Sequence, residues 1–381
     1  MKIIGLYGCC GWSSDDQWLH AAGASLWVDG AHISTISEER LTREKYDGNF
    51  PDLSIDYVLD EAEITRDEVE LVVYVENVHS PQRRNAVETV LSREFPNSKI
   101  SFCDHHQAHA CATFYTSPFE KASILTFDGA GNSFPIFWHR PNGDESELGG
   151  YETGLYAVGD KKNGIYVIYH SIITPNFHSQ LRGGSTRECF TFNLGQMYNE
   201  ISRWCYRKME PKRAAEISNP YIWMETAPGK IMGLSAYGDK DKVDLPDLFR
   251  INDDKFYFPY IYDHRKPTED QMEKYDPKDI AAWLQHQFET ILVKFFSTIT
   301  IKAPNLCLGG GCGLNVLANA AIIKAELFKD IHIFPAANDS GLCFGGAIYE
   351  VSQREKKMTM PKYLGFLGKS YSDEEIEDAL Q

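Results

Sequence analysis

The sequence predicts a duplicated α/β fold, and three observations point there. Strands and helices alternate along most of the chain. Residues 1–8 and Ala122–Phe127 each open with an apolar strand that runs into a glycine turn, then further strands and helices follow. The 381 residues, 43% hydrophobic and 24% charged, suffice for two or three domain-sized units of ordinary globular composition. No run approaches ~20 apolar residues, so no membrane span is expected. The first eight residues read as a buried strand rather than a signal peptide.

In chain order, residues 1–8 form the first strand. Ala24–Val28 and Ala31–Ser37 flank Asp29-Gly30, a two-residue hairpin signal. Cys9–Leu19 precedes them as an insertion carrying Gly11, Ser13 and Ser14. Helices are expected over 51–64 and 81–94, strands over Val69–Val75 and Ile100–Cys103, and a helix from His105. The second round runs through Ala122–Phe127, Phe134–Trp138 and strand-like pieces up to His170, then a helix over Phe192–Lys208. The helix at 277–300 is the clearest. Asp276 can cap it, Pro277 suits its first position, and Ile280, Leu284, Phe288, Ile291, Phe295 and Ile299 share one face. A strand over Asn305–Leu308, a helix over 314–325, a strand over Ile331–Phe334 and a helix over 340–354 complete the round. The expected divisions are 1–120 and 121–356, two α/β halves, and 357–381, a polar tail reading as a linker cut short at a helix start, Ser372-Asp373-Glu374-Glu375.

With 38 Lys+Arg against 54 Asp+Glu the net charge is −16, which argues against tight nonspecific nucleic-acid binding. The nine cysteines form no CxxC pair and read as core thiols in a reducing cytoplasm.

Asp104-His105-His106-Gln107-Ala108-His109 carries the strongest chemistry. His105 and His109, four apart after a strand end, share one helix face and can chelate one ion. The plainer reading is a His-rich turn or a structural helix start. Acidic partners are available at strand ends in Asp128 and Asp339. A mixed His and carboxylate set with open positions suits a divalent transition metal such as iron, and zinc less well.

Three glycine segments are candidates for phosphate or nucleotide. Asp128-Gly129-Ala130-Gly131-Asn132 follows a buried strand, and a plain β-turn explains it equally. Leu308-Gly309-Gly310-Gly311-Cys312-Gly313-Leu314-Asn315 joins a strand to a helix, the geometry that aims backbone donors at an anion. It lacks the GK[ST] of a Walker A loop. Gly229–Gly238 reads as a further glycine-punctuated loop, with Lys230 either meeting phosphate or solvated.

Together these motifs resemble the O-carbamoyltransferases of the NodU/CmcH type. Their N-terminal domain is similar to the Kae1/TsaD proteins, on the actin/Hsp70-like (ASKHA) ATPase fold. The resemblance rests on the first strand, His20-Ala21-Ala22-Gly23-Ala24, Ser37-Glu38-Glu39-Arg40-Leu41-Thr42-Arg43-Glu44-Lys45, HHQAH, FDGAG, KIMGLSAYG, LGGGCGLN and NDSG, in that order.

The resemblance implies a Kae1-like duplicated ASKHA fold with an interdomain cleft. It implies His105, His109 and Asp339 as ligands of Fe(II) or another divalent metal, with Asp128 at the metal or phosphate. Gly309, Gly310, Gly311 and Asn315 would contact the adenine nucleotide, Gly129 and Gly131 the phosphate, and Lys230 would add a weaker contact. His20 would be a general base or substrate ligand, with Arg43 and Lys45 lining the pocket. The reaction implied is transfer of a carbamoyl group from carbamoyl-adenylate, made from ATP and carbamoyl phosphate, to a hydroxyl of a small-molecule or nucleoside-type acceptor.

In the family a YrdC-like domain makes the carbamoyl-adenylate. No counterpart lies within these residues, so a truncated chain or a separate YrdC-like partner is expected. A cytoplasmic location is expected, and the long apolar-striped helix suits a homodimer. The aromatic stretches Asn176–Phe192 and Phe256–Tyr262 fit an acceptor pocket, core or an oligomer face. Three alternatives share these motifs. One is a tRNA threonylcarbamoyl transferase-like protein, against which the −16 charge stands. The others are an ASKHA-type ATPase or kinase, and a noncatalytic subunit of a split carbamoyltransferase.

Overall fold

The computed structural model describes residues 1–10, 20–77, 81–129, 131–139, 145–173, 194–217, 220–251, 261–263 and 267–380. The chain divides into two compact units. The first comprises Met1–Val75, Gln82–Cys103 and Ser340–Gln381; the second comprises Glu76–Pro81 and Asp104–Asp339.

The first unit is built on β1 (Lys2–Tyr7), β2 (Gly23–Val28), β3 (Ala31–Ser37), β4 (Leu71–Glu76) and β5 (Lys99–Asp104). Their order in the sheet is β3-β2-β1-β4-β5. β1 runs antiparallel to β2 and parallel to β4. Ile3, Ile4, Leu6 and Tyr7 are all buried, as expected for a strand covered on both faces. Asp29 and Gly30 turn the hairpin with φ of 50° and 76°, the doubly positive turn that matches strand twist. Helix Asp52–Asp60 buries Ile55, Val58 and Leu59. It stops short of residue 64 because Glu63 takes φ 53° and a Thr65–Glu68 capping box begins a new turn. Helix Leu342–Arg354 also belongs to this unit, and the tail joins it through Thr359 N–H to Gly30 O (2.8 Å) and Thr35 N–H to Leu367 O (2.8 Å).

The second unit is built on β6 (Lys121–Phe127), β7 (Ser133–His139), β8 (Glu145–Asp160) and β9 (Gly164–Ile173), a two-stranded pair β10 (Phe249–Ile251) and β11 (Ile261–Asp263), and β12 (Leu306–Gly309) and β13 (Ile331–Ile333). The main sheet is ordered β13-β12-β6-β8-β7, with β9 beside β8. β6 runs antiparallel to β8 and parallel to β12, which is parallel to β13. The opening strand of each unit thus has one antiparallel and one parallel neighbour. This repeated plan is that of a duplicated α/β fold.

Helix Pro277–Thr298 anchors the second core. Asp276 accepts from Lys278 N–H and Pro277 sits at its first position, as the sequence suggests. The stripe Ile280, Leu284, Phe288, Ile291, Phe295 and Ile299 is buried, each side chain worth roughly 1.5–3 kcal/mol by transfer. Phe288 stacks on Phe127 of β6 with ring centroids 6.3 Å apart.

One expectation is overturned. Gly229–Leu234 is not a loop: it completes helix Pro220–Leu234, followed by a 3-10 turn at Ser235–Tyr237. The two helical glycines cost about 1 kcal/mol each and Pro228 lies inside the same helix, so local propensity opposes it; the burial of Ala227 and Ile231, four apart on one face, works the other way. Most of Cys9–Leu19 and all of Asn176–Phe192 lie outside the described residues, as does 256–260; Ile261 and Tyr262 belong to β11. No helix among the described residues is long and apolar enough to cross a membrane.

Candidate metal centre

Asp104 ends β5 and helix His105–Thr116 starts at once, so the His pair emerges at the helix's first turn. His105 Nε2 and His109 Nε2 stand 3.2 Å apart. Asp339 Oδ1 lies 3.6 Å from the first and 3.5 Å from the second, and Asp128 Oδ2 lies 3.5 Å from His109 Nε2. All four donor atoms fall within 4.8 Å of one another. Ligands bound at ~2.1 Å around a tetrahedral ion sit ~3.4 Å apart, so these separations fit a shared cation. The residues come from the helix, the end of β6 and the turn after β13, and all belong to the second unit.

The surroundings orient the rings. His105 Nδ1 is 2.8 Å from Asn77 Oδ1; a proton donated there leaves Nε2 deprotonated, with a lone pair a cation could take. His106 points away, its Nδ1 3.0 Å from Thr126 Oγ1. A Cβ at Gly131 would stand 2.6 Å from His106 Cδ2 and 3.2 Å from His105 Cδ2, so only glycine fits against the two rings. Asn132 donates to Asp104 Oδ1 at 2.8 Å and steadies the helix entry.

Charge in the centre favours a cation. Burial depresses the His109 pKa, but hydrogen bonds and charge from Asp128 and Asp339 overcome it and raise the pKa to about 9. His106 responds oppositely: burial, then the neighbouring His105 and His109, push its pKa well below the ordinary value.

The glycine segments meet at Asp128. Gly129 N–H donates to Asp128 Oδ1 at 2.7 Å and Gly311 N–H to Oδ2 at 2.8 Å. Gly131 N–H goes to Glu152 O at 2.5 Å. These three donors therefore hold the carboxylate and its turn in this structure rather than facing a phosphate. Gly310 has φ 79°, and a Cβ there would lie 2.3 Å from Phe127 O. Gly309 ends β12, and Asn315 caps helix Val316–Lys324 by accepting from Ala318 N–H at 3.0 Å.

Other expected site residues fall elsewhere. His20, half-buried, Arg43 and Lys45 stand in the first unit. Lys45 Nζ pairs with Glu39 at 3.1 Å and is 61% exposed. Glu38 accepts from Leu53 and Ser54 N–H, so this part of the acidic segment caps a helix. Lys230 sits in its helix, 3.2 Å from the Tyr206 hydroxyl. Asn77 and Gln285 are additions. Asn77 follows β4 directly, a strand-end position that local pattern does not distinguish, and Gln285 lies inside the apolar stripe.

Two α/β units, one of which gathers a His/Asp donor set and a glycine loop at its strand ends, are what the chain offers for comparison. The chain belongs to the carbamoyltransferase N-terminus family, which matches residues 81–348. It is 27% identical over 373 residues to the nodulation protein NolNO of Sinorhizobium fredii, covering 87% of this chain and 46% of that one. It is 26% identical over 430 residues to the uncharacterized protein sll1178 of Synechocystis, covering 96% and 61%. The chain therefore spans 46% and 61% of the lengths of these curated relatives. Among solved structures, component A of (R)-2-hydroxyglutaryl-CoA dehydratase from Acidaminococcus fermentans aligns over 93% of this chain and 98% of its own, with TM-score 0.46 and 11% identity. T. kodakarensis HypF aligns over 92% and 47%, with TM-score 0.43 and 14% identity.

Proposed function

We propose that this chain is the transfer half of an O-carbamoyltransferase. It moves a carbamoyl group from carbamoyl-adenylate to an acceptor hydroxyl. The single observation that carries the reading is the convergence of His105, His109, Asp128 and Asp339 beside the Gly309–Asn315 loop.

In this reading the two imidazoles and two carboxylates hold a divalent metal, Fe(II) being the ion that two His and carboxylates with open positions suit best. That ion supplies Lewis-acid polarisation of the carbamoyl oxygen. Asn77 keeps His105 in the ligating tautomer, and Gly129 and Gly311 aim the Asp128 carboxylate. The Gly309–Asn315 loop, leading into a capped helix start, holds the AMP leaving group. The bond from the acceptor oxygen to the carbamoyl carbon forms, the anhydride bond to AMP breaks, and the hydroxyl proton passes to a base. His20 is proposed for that base, and Arg43 and Lys45 for the pocket, on the family resemblance alone. Carbamoyl-adenylate, made from ATP and carbamoyl phosphate, is supplied by a YrdC-like domain or a separate YrdC-like chain.

The test is His109→Ala, assayed for bound metal by elemental analysis and for transfer from synthetic carbamoyl-adenylate. Both should be lost. Metal content equal to the parent's would remove the ligand assignment. Iron in the parent also separates this reading from an ASKHA kinase, which needs Mg²⁺ but no His pair.

A further inference from the structure

Asn315, where the glycine loop becomes a helix, is gripped by a residue outside the loop. Gln285, on helix Pro277–Thr298, is 3% exposed and, with Asp279 in the first turn, is one of two polar side chains among the helix's buried residues. Its Nε2 donates to Asn315 Oδ1 at 3.0 Å, and its Oε1 accepts from Asn315 Nδ2 at 3.0 Å. The same Oε1 accepts from Tyr198 Oη at 2.7 Å, and Nε2 also donates to Glu289 Oε1 at 2.9 Å. Both donors and both lone pairs of the Gln285 amide are thus occupied. Asn315 in turn caps helix Val316–Lys324, whose Asn319 donates to Gly313 O at 2.8 Å. A buried polar residue with all its bonds made fixes one arrangement and penalises others, because any shift leaves an amide unpaired.

We infer that Gln285 is a positioning residue for nucleotide binding: its doubly paired amide sets the far end of the Gly309–Asn315 loop, while Asp128 sets the near end. This rests on the proposal that the loop holds AMP. Gln285 touches neither nucleotide nor metal and acts only through Asn315. Sealing the core would need only an apolar side chain, so the saturated amide pair points to loop geometry.

Calorimetric titration of the full 381-residue chain with AMP tests this. Gln285→Met keeps the volume and removes all four hydrogen bonds. It should raise the AMP Kd at least tenfold, at a temperature where both proteins are folded, with metal content unchanged. Tyr198→Phe removes one of the four bonds and should raise the Kd about threefold. It decides the matter if Gln285→Met does not fold. A lowered melting temperature with an AMP Kd within twofold of the parent's, in whichever variant folds, overturns the inference. If the parent itself binds no AMP, the nucleotide reading of the loop fails first, which is a separate result.

Discussion

The two sheets share a plan but differ where their opening strands end. β1 runs into Gly8, whose carbonyl accepts from the Tyr74 hydroxyl at 2.7 Å, a closure suited to a core. β6 runs into Asp128, whose carboxylate is held by two glycine N–H groups 3.5 Å from an imidazole. Their histidines differ in the same way. His32 of β3 lies against Trp27 and Phe344, and burial lowers its pKa to about 4. His109 is more deeply buried, yet two carboxylates raise its pKa to about 9. Burial alone does not decide a histidine's charge; its partners do. The two units share a scaffold plan, and the side chains at their strand ends differ.

The sharpest way to break this comparison is to remove a proposed ligand. Asp339→Ala should lower metal affinity at least 100-fold by competition with a chelating dye, while His32→Phe should leave it unchanged. Asn77→Ala, which frees the His105 ring without removing a ligand, should cost about 10- to 100-fold. Gly310→Ala comes next. Its positive φ and the close Phe127 carbonyl predict a loss of more than about 2 kcal/mol in urea unfolding. Gly129→Ala has open space around the new Cβ and should stay within about 1 kcal/mol.

A third effect is pH-dependent. Unfolded His32 takes up a proton as pH falls below about 6.5, whereas folded His32 stays neutral until about 4. The stability His32 contributes is therefore complete above pH 6.5 and is lost as pH falls toward 4, by up to about 3 kcal/mol. Urea midpoints between pH 4.5 and 7 should slope less in His32→Phe than in the parent. The smallest effect is expected from Lys45→Ala, whose exposed ion pair with Glu39 should be worth under about 0.5 kcal/mol.

The grouping of His105, His109, Asp128 and Asp339 was legible in the sequence because helical spacing and strand-end placement are local signals, carried by the HHQAH, FDGAG and NDSG segments. The hairpin at Asp29-Gly30 and the striped helix from Pro277 were legible for the same reason. Asn77 was not: it lies 28 positions before His105, and only the fold brings them to 2.8 Å. The part Gly129, Gly131 and Gly311 take, holding protein groups in place, was also hidden, since a glycine-rich string does not say what its N–H groups face. Lys230 misled because glycine was read as punctuation while the burial of Ala227 and Ile231 was invisible.

Gly131 will complicate any saturation scan of this chain. A Cβ placed there meets the His106 ring at 2.6 Å and crowds the His105 ring at 3.2 Å, so the position will score as intolerant as the proposed ligands themselves. Screening for survival alone would therefore rank it among them, and only the bound metal of folded variants would separate a residue that makes room from one that bonds.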